Sequence, residues 1–106
     1  MSHSVKVAES KEIPMGGKIV IEVDDIEIAV FNVDNEQYYA VENICSHDGG
    51  SLGDGKIIDT YQVECPRHGA RFDIRTGAAL VMPAFEPIEA FPVTVQNGEI
   101  FLTMDW

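Results

Sequence analysis

Apolar and polar residues alternate with a period of two through much of the chain, the pattern of strands that turn one face to a core. Residues 18–23 (KIVIEV) are rich in β-branched side chains and run into Asp24-Asp25, after which residues 26–33 (IEIAVFNV) alternate again. A β-hairpin is expected there. Asp34-Asn35-Glu36 makes the next turn, and residues 37–41 (QYYAV) supply a third strand leading directly toward Cys45, so a meander is expected. Gly16-Gly17 precedes its first strand, and residues 5–8 (VKVA) read as a short edge strand closing the sheet. Near the other end, residues 92–96 and 99–103 flank Asn97-Gly98, the dipeptide of a type I′ turn, in the clearest hairpin of the sequence. No segment sustains helical periodicity over the roughly 11 to 18 residues that would mark a helix, and Gly and Pro recur throughout. The fold class is all-β, a small antiparallel sandwich or barrel. Residues 44–84 interrupt the strand pattern and read as a subdomain inserted between strands, with turns of its own at Asp54-Gly55 and Thr76-Gly77.

A chain of 106 residues without repeat, low-complexity tract or linker is expected to be a single domain, 1–106. Its 45% hydrophobic residues supply a core, although a domain this small keeps a narrow stability margin that a bound metal centre would widen. Eighteen acidic against seven basic residues give a formal charge of -11. That opposes nucleic acid and anionic membranes and suits a partner with a basic docking face. Residues 1–6 lack the apolar region of a signal peptide, and no stretch approaches the roughly 20 apolar residues that span a bilayer, so a cytoplasmic protein is expected. There a disulfide between the two cysteines is not expected, and each cysteine has a histidine two or three positions on.

Those pairs, Cys45-Ser46-His47 and Cys65-Pro66-Arg67-His68, both lie in the insertion. Two short pairs on separate loops let each loop present one thiolate and one imidazole to a common centre. Gly49-Gly50 and Gly69 permit close backbone approach, and Pro66 stiffens the second loop. Two Cys and two His suit either tetrahedral zinc or a 2Fe-2S cluster with histidines on one iron. Familiar zinc sites of that composition pair Cys with Cys and His with His and carry the histidines on a helix, and neither condition is met. Cysteines as buried small hydrophobes beside surface histidines would be the plainer reading of each residue alone. Four such residues grouped in one insertion weigh against it.

The motifs Cys45-Ser46-His47 and Cys65-Pro66-Arg67-His68-Gly69 resemble the paired ligand loops of Rieske proteins. The resemblance extends through Ala70-Arg71-Phe72-Asp73 and Thr76-Gly77 to Met82-Pro83-Ala84, and the flanking strands resemble the Rieske ferredoxin fold along nearly the whole chain. It implies one 2Fe-2S cluster, with Cys45 and Cys65 on the buried iron and His47 and His68 on the outer iron through Nδ1, and with the proline loop at Met82-Pro83-Ala84 covering it. The high-potential members of the family carry two further cysteines that join the ligand loops, and one of those positions is Arg67 here. They also place serine and tyrosine hydroxyls where this chain has Ala70 and Phe72. Hydrogen bonds to the sulfurs favour the reduced state, so their absence implies a potential near the bottom of the Rieske range, about -150 mV.

The function implied is that of a soluble one-electron carrier, not itself an enzyme, between a flavin-dependent ferredoxin reductase and a terminal aromatic-ring-hydroxylating oxygenase. A redox-sensing subunit, or a donor in another reductive pathway such as nitrite reduction, is the alternative. Other conspicuous residues take ordinary roles. His3 lies in a terminus expected to fray, and Asp48, Asp54 and Asp73 read as turn formers or acceptors for backbone N–H, with docking a secondary role for Asp48 and Asp54. Arg71 and Arg75 are expected in internal ion pairs. Phe31, Tyr39, Phe72, Phe91 and Phe101 are expected in or under the core.

Overall fold

The computed structural model describes residues 2–34, 37–44, 52–65, 69–82 and 86–105. Among them all regular structure is β apart from two single 3-10 turns, Ser10–Glu12 and Leu52–Asp54. In chain order the strands are β1 (Ser2–Glu9), β2 (Lys18–Val23), β3 (Ile26–Asp34), β4 (Gln37–Glu42), β5 (Lys56–Ile58), β6 (Gln62–Glu64), β7 (Arg71–Asp73), β8 (Ala79–Val81), β9 (Ala90–Phe91), β10 (Val93–Gln96) and β11 (Glu99–Asp105). They form antiparallel sheets of order β2-β3-β4-β9, β1-β11-β10 and β5-β6-β7-β8.

The turns explain the hairpins. Asp24 and Asp25 between β2 and β3 both take positive φ, 50° and 69°, as do Asn97 and Gly98 between β10 and β11, 52° and 75°. Two successive residues of that kind make a type I′ turn, whose twist matches that of the flanking strands. The register then follows, Val23 opposite Ile26 and Gln96 opposite Glu99.

The β2-β3-β4-β9 sheet has a core on each face, which is why β3 is buried from Ile28 through Asn32. Ala29, Phe31 and Val41 point to one side and pack with Leu52, Val63, Cys65, Ala70, Phe72 and Ile74 of the inserted segment and with Ile88 beyond it. Ile28, Val30, Tyr38 and Ala40 point to the other and pack with Ala8, Ile13, Ile100, Leu102 and Met104. Each large apolar side chain so buried contributes on the order of 1.5–3 kcal/mol, Phe31 and Phe72 among the largest. The β5-β6-β7-β8 sheet, which holds the second ligand motif, is thereby bolted to the meander through a shared core.

The all-β class, the 18–41 meander and the Asn97-Gly98 hairpin are as expected, and three differences stand out. Residues 5–8 belong to an eight-residue strand, β1, which closes the terminal hairpin by pairing with β11 from Ser2 opposite Asp105 to Glu9 opposite Glu99, bulged between Lys6 and Ala8. His3 therefore sits in a ladder opposite Met104 and not in a frayed end, because β11 offers a free edge for that segment. The inserted segment, read in the sequence as loops and turns, contains the four-stranded sheet. Its strands have only three residues each, too few for alternation to show, and they exist through their pairing with one another.

Candidate metal centre

Three chain segments that carry the expected ligands and their cover, 45–51, 66–68 and 83–85, lie outside the described residues. Cys45, His47 and His68 are therefore outside them, as are Asp48, Arg67, Pro83 and Ala84. Among the described residues no group of three or more His, Cys, Asp or Glu could hold a metal ion. What the structure does describe is the stem of each segment, and two of the stem residues, Leu52 and Cys65, lie in the core shared by the inserted sheet and the meander.

Cys65 follows β6 at the head of a hairpin. β6 and β7 pair Gln62 with Asp73, Val63 with Phe72 and Glu64 with Arg71, and Cys65 N–H extends the ladder by donating to Ala70 O at 2.7 Å. Gly69, at φ 74°, then donates its N–H back to Cys65 O at 3.2 Å. Positive φ at that position is inexpensive only for glycine. Strand alternation puts Cys65 on the face of Val63, inward, where only 1% of it is exposed. On the opposite face the Glu64 carboxylate accepts from Arg71 Nε at 3.2 Å, a half-exposed cross-strand pair. The thiol of Cys65 thus points into an apolar setting beside Ala70 and Phe72. A soft sulfur donor held by these two backbone bonds suits the buried side of an iron–sulfur centre.

The first segment leaves Ile44, which is exposed, and re-enters at Leu52, which is fully buried against Val63 and Cys65. Gly55 follows so close to β6 that a Cβ there would lie 2.0 Å from Glu64 O. The third segment departs from Met82, 73% exposed, and re-enters at Glu86. Ile88 N–H then donates to Gly77 O at 2.8 Å, and Glu42 N–H to Glu89 O at 2.8 Å. Leu80, Val81 and Met82 make an exposed apolar run along the free edge of β8.

The far end of the inserted sheet is locked by charge and aromatic contact. Asp73 Oδ1 accepts from Arg75 N–H at 2.8 Å, and Asp73 Oδ2 from Arg75 Nη2 at 3.0 Å. These hydrogen bonds from Arg75 hold the Asp73 carboxyl below the usual carboxylate range. The guanidinium lies 4.2 Å over the Tyr61 ring, and Tyr61 meets Tyr39 of β4 edge to face at 5.8 Å. The ordinary roles expected of Asp73, Arg71 and Arg75 are those observed; the side chains of His3 and Asp54 lie outside the description. Two roles are not evident in the sequence. Thr76-Gly77 marks a turn and part of the Rieske resemblance but not a close packing contact, whereas a Cβ on Gly77 would lie 1.9 Å from Ile88 O, and Asn43 belongs to no motif. The signal for Asn43 is faint, a polar residue two positions before the first motif.

Comparison with known proteins bears on the same segments. Residues 3–92 match the family model described as the Rieske [2Fe-2S] domain. A 3-phenylpropionate/cinnamic acid dioxygenase ferredoxin subunit of Photorhabdus laumondii is 41% identical over 98 residues, 92% of this chain and 91% of that protein. The ferredoxin of carbazole 1,9a-dioxygenase from Nocardioides aromaticivorans IC177 superposes with a TM-score of 0.87 at 35% identity, covering 93% of this chain and 95% of that one. A chain from a complex of reduced oxygenase and oxidized ferredoxin in carbazole 1,9a-dioxygenase superposes with a TM-score of 0.84 at 32% identity, covering 93% and 91%.

Proposed function

Since the chain belongs to the Rieske [2Fe-2S] domain family, we propose that it is a ferredoxin carrying single electrons from a flavin-dependent reductase to a terminal oxygenase that hydroxylates aromatic rings. The observation that carries this reading is the match to a dioxygenase ferredoxin subunit over 92% of this chain and 91% of that protein. The family implies one Rieske-type 2Fe-2S cluster. Its ligands are Cys45, His47, Cys65 and His68, of which the inward, rigidly held Cys65 gives structural support. When bound, the cluster supplies one reversible electron.

The chain's own residues do the rest. Leu52, Val63, Ala70 and Phe72 exclude water from the side of Cys65, and the hairpin bonds Cys65–Ala70 and Gly69–Cys65 hold its loop. The exposed edge Leu80-Val81-Met82 beside the third segment offers an apolar docking strip in an otherwise acidic surface, suited to brief contact with basic partner faces. The 106 residues act as one domain in the cytoplasm. No helix among the described residues is long and apolar enough to cross a membrane.

The test begins with composition, two irons and two labile sulfides per chain, and the EPR spectrum of the reduced protein. His47→Ala and His68→Ala are expected to abolish the Rieske g-tensor, since each supplies one nitrogen to the outer iron, whereas His3→Ala leaves it unchanged. A normal g-tensor in either ligand variant refutes the ligand set. Reconstitution with a reductase and an oxygenase should pass many electrons per cluster; a stoichiometric effect on partner activity would instead identify a sensor.

A further inference from the structure

The chain has only two cysteines, both assigned here to the cluster, so no disulfide can brace the loop that holds Cys45 and His47. Something else must fix its two ends. Asn43 stands immediately before the loop and is 6% exposed. Its backbone N–H donates to Glu27 O at 2.8 Å, its Nδ2 donates to the Glu27 carboxylate at 3.1 Å, and its Oδ1 accepts from Gly53 N–H at 2.6 Å. One side chain thus ties the incoming limb both to the start of β3 and to the outgoing limb, ten residues on. That outgoing limb is itself seated, by buried Leu52 and by the close approach of Gly55 to Glu64 O, against the strand that ends in Cys65.

We propose that Asn43 is a positioning residue for the cluster, its carboxamide clamping the base of the first ligand loop between Glu27 and Gly53 and so setting where Cys45 and His47 stand relative to Cys65. The inference rests on the ligand reading given above. The chemistry of the partners selects the residue. Gly53 N–H donates and the Glu27 carboxylate oxygen accepts, so the group between them must offer one acceptor and one donor at fixed separation, as a carboxamide does. The same complementarity fixes which way the amide points. An aspartate would still accept from Gly53 but would set a second carboxylate against Glu27, and an alanine would leave the Gly53 N–H buried without its acceptor.

The test uses the holo-protein, in which the Rieske EPR signal of the wild type is established first; its absence overturns the ligand reading and this proposal with it. Asn43→Ala and Asn43→Asp are expected to lose iron to a chelator about ten-fold faster than wild type, the effect of one buried hydrogen bond, and to broaden the g-tensor. Glu27→Gln in the Asn43→Asp background restores a donor–acceptor pair and should return the rate to within about three-fold of wild type. Met104→Ala, in the core on the opposite face of the meander, controls for general destabilisation: its melting point falls while its g-values and iron release stay those of wild type. Wild-type behaviour of both Asn43 variants, no rescue in the double variant, or iron release from Met104→Ala as fast as from Asn43→Ala each overturns the clamp. Should the Asn43 variants fail to accumulate, Glu27→Ala removes one arm of the clamp at an exposed residue. A several-fold faster release then supports the proposal, and an unchanged rate and g-tensor overturns it.

Discussion

Replacing Gly77 with alanine should break the seam that brings the chain back from the third cluster segment. Gly77 has φ 83°, and a Cβ there would lie 1.9 Å from Ile88 O and 2.9 Å from Ile88 C. Gly16 has nearly the same φ, 82°, with nothing within 4 Å of its would-be Cβ. The two substitutions share the strain of an L-residue in the left-handed region, about 1–2 kcal/mol, and differ only in the collision. To relieve it the Ile88 backbone must retreat by more than an ångström. That breaks its N–H bond to Gly77 O and lifts a buried isoleucine partly out of the core, a further cost of about 2–3 kcal/mol. In a domain of this size each kcal/mol lowers Tm by roughly 4–8 °C. Gly16→Ala should therefore melt about 4–16 °C below wild type, and Gly77→Ala at least about 8 °C below Gly16→Ala. Far-UV circular dichroism and visible absorbance, followed in one thermal scan of the holo-protein, measure backbone and cluster together. The cluster should bleach with or before the backbone transition in Gly77→Ala. Equal melting points for the two variants would refute the argument, because the close approach to Ile88 would then carry no weight.

Ala70 and Phe72 occupy positions beside Cys65 in the shared core. Ala70→Ser and Phe72→Tyr should each raise the reduction potential by roughly 40–90 mV, the equivalent of one hydrogen bond of about 1–2 kcal/mol favouring the reduced cluster. Protein-film voltammetry with iron content checked measures it; a wild type well above 0 mV contradicts the low-potential reading. The Asp73 carboxyl is depressed by the hydrogen bonds from Arg75, so its contribution to stability is present above the unfolded carboxylate range and is lost as pH falls through the lower folded value. Arg75→Gln should accordingly melt below wild type at pH 5 to 7, with the gap closing under more acid conditions. A gap that stays constant with falling pH assigns the loss to the stacking of Arg75 on Tyr61 instead.

Much of the frame could be read directly. Asp24-Asp25 and Asn97-Gly98 mark their hairpins because a type I′ turn demands particular residues at two adjacent positions, and the long strands on either side show their alternation. The inserted sheet was not legible, since three residues cannot display a period and its strands are held by pairing across 56–81. β3 was legible as a strand but not as one buried on both faces. Alternation distinguishes its two sets of side chains, and only the packing of the inserted sheet on one side and the terminal hairpin on the other shows that each set has a core of its own.

The candidate site divides along the same line. Which residue types can bind the cluster, their spacing within each motif, and the lack of cysteine for a brace are properties of the covalent chain, visible because each motif is three or four residues long. The stems are held otherwise, by Asn43 between Glu27 and Gly53, by Gly55 against Glu64, and by Gly77 against Ile88. These contacts join residues separated by nine to sixteen positions, and each depends on a hydrogen bond or a van der Waals distance good to a few tenths of an ångström. No local preference encodes such a distance; it arises when two cores, closed by non-local strand pairing, press the segments together.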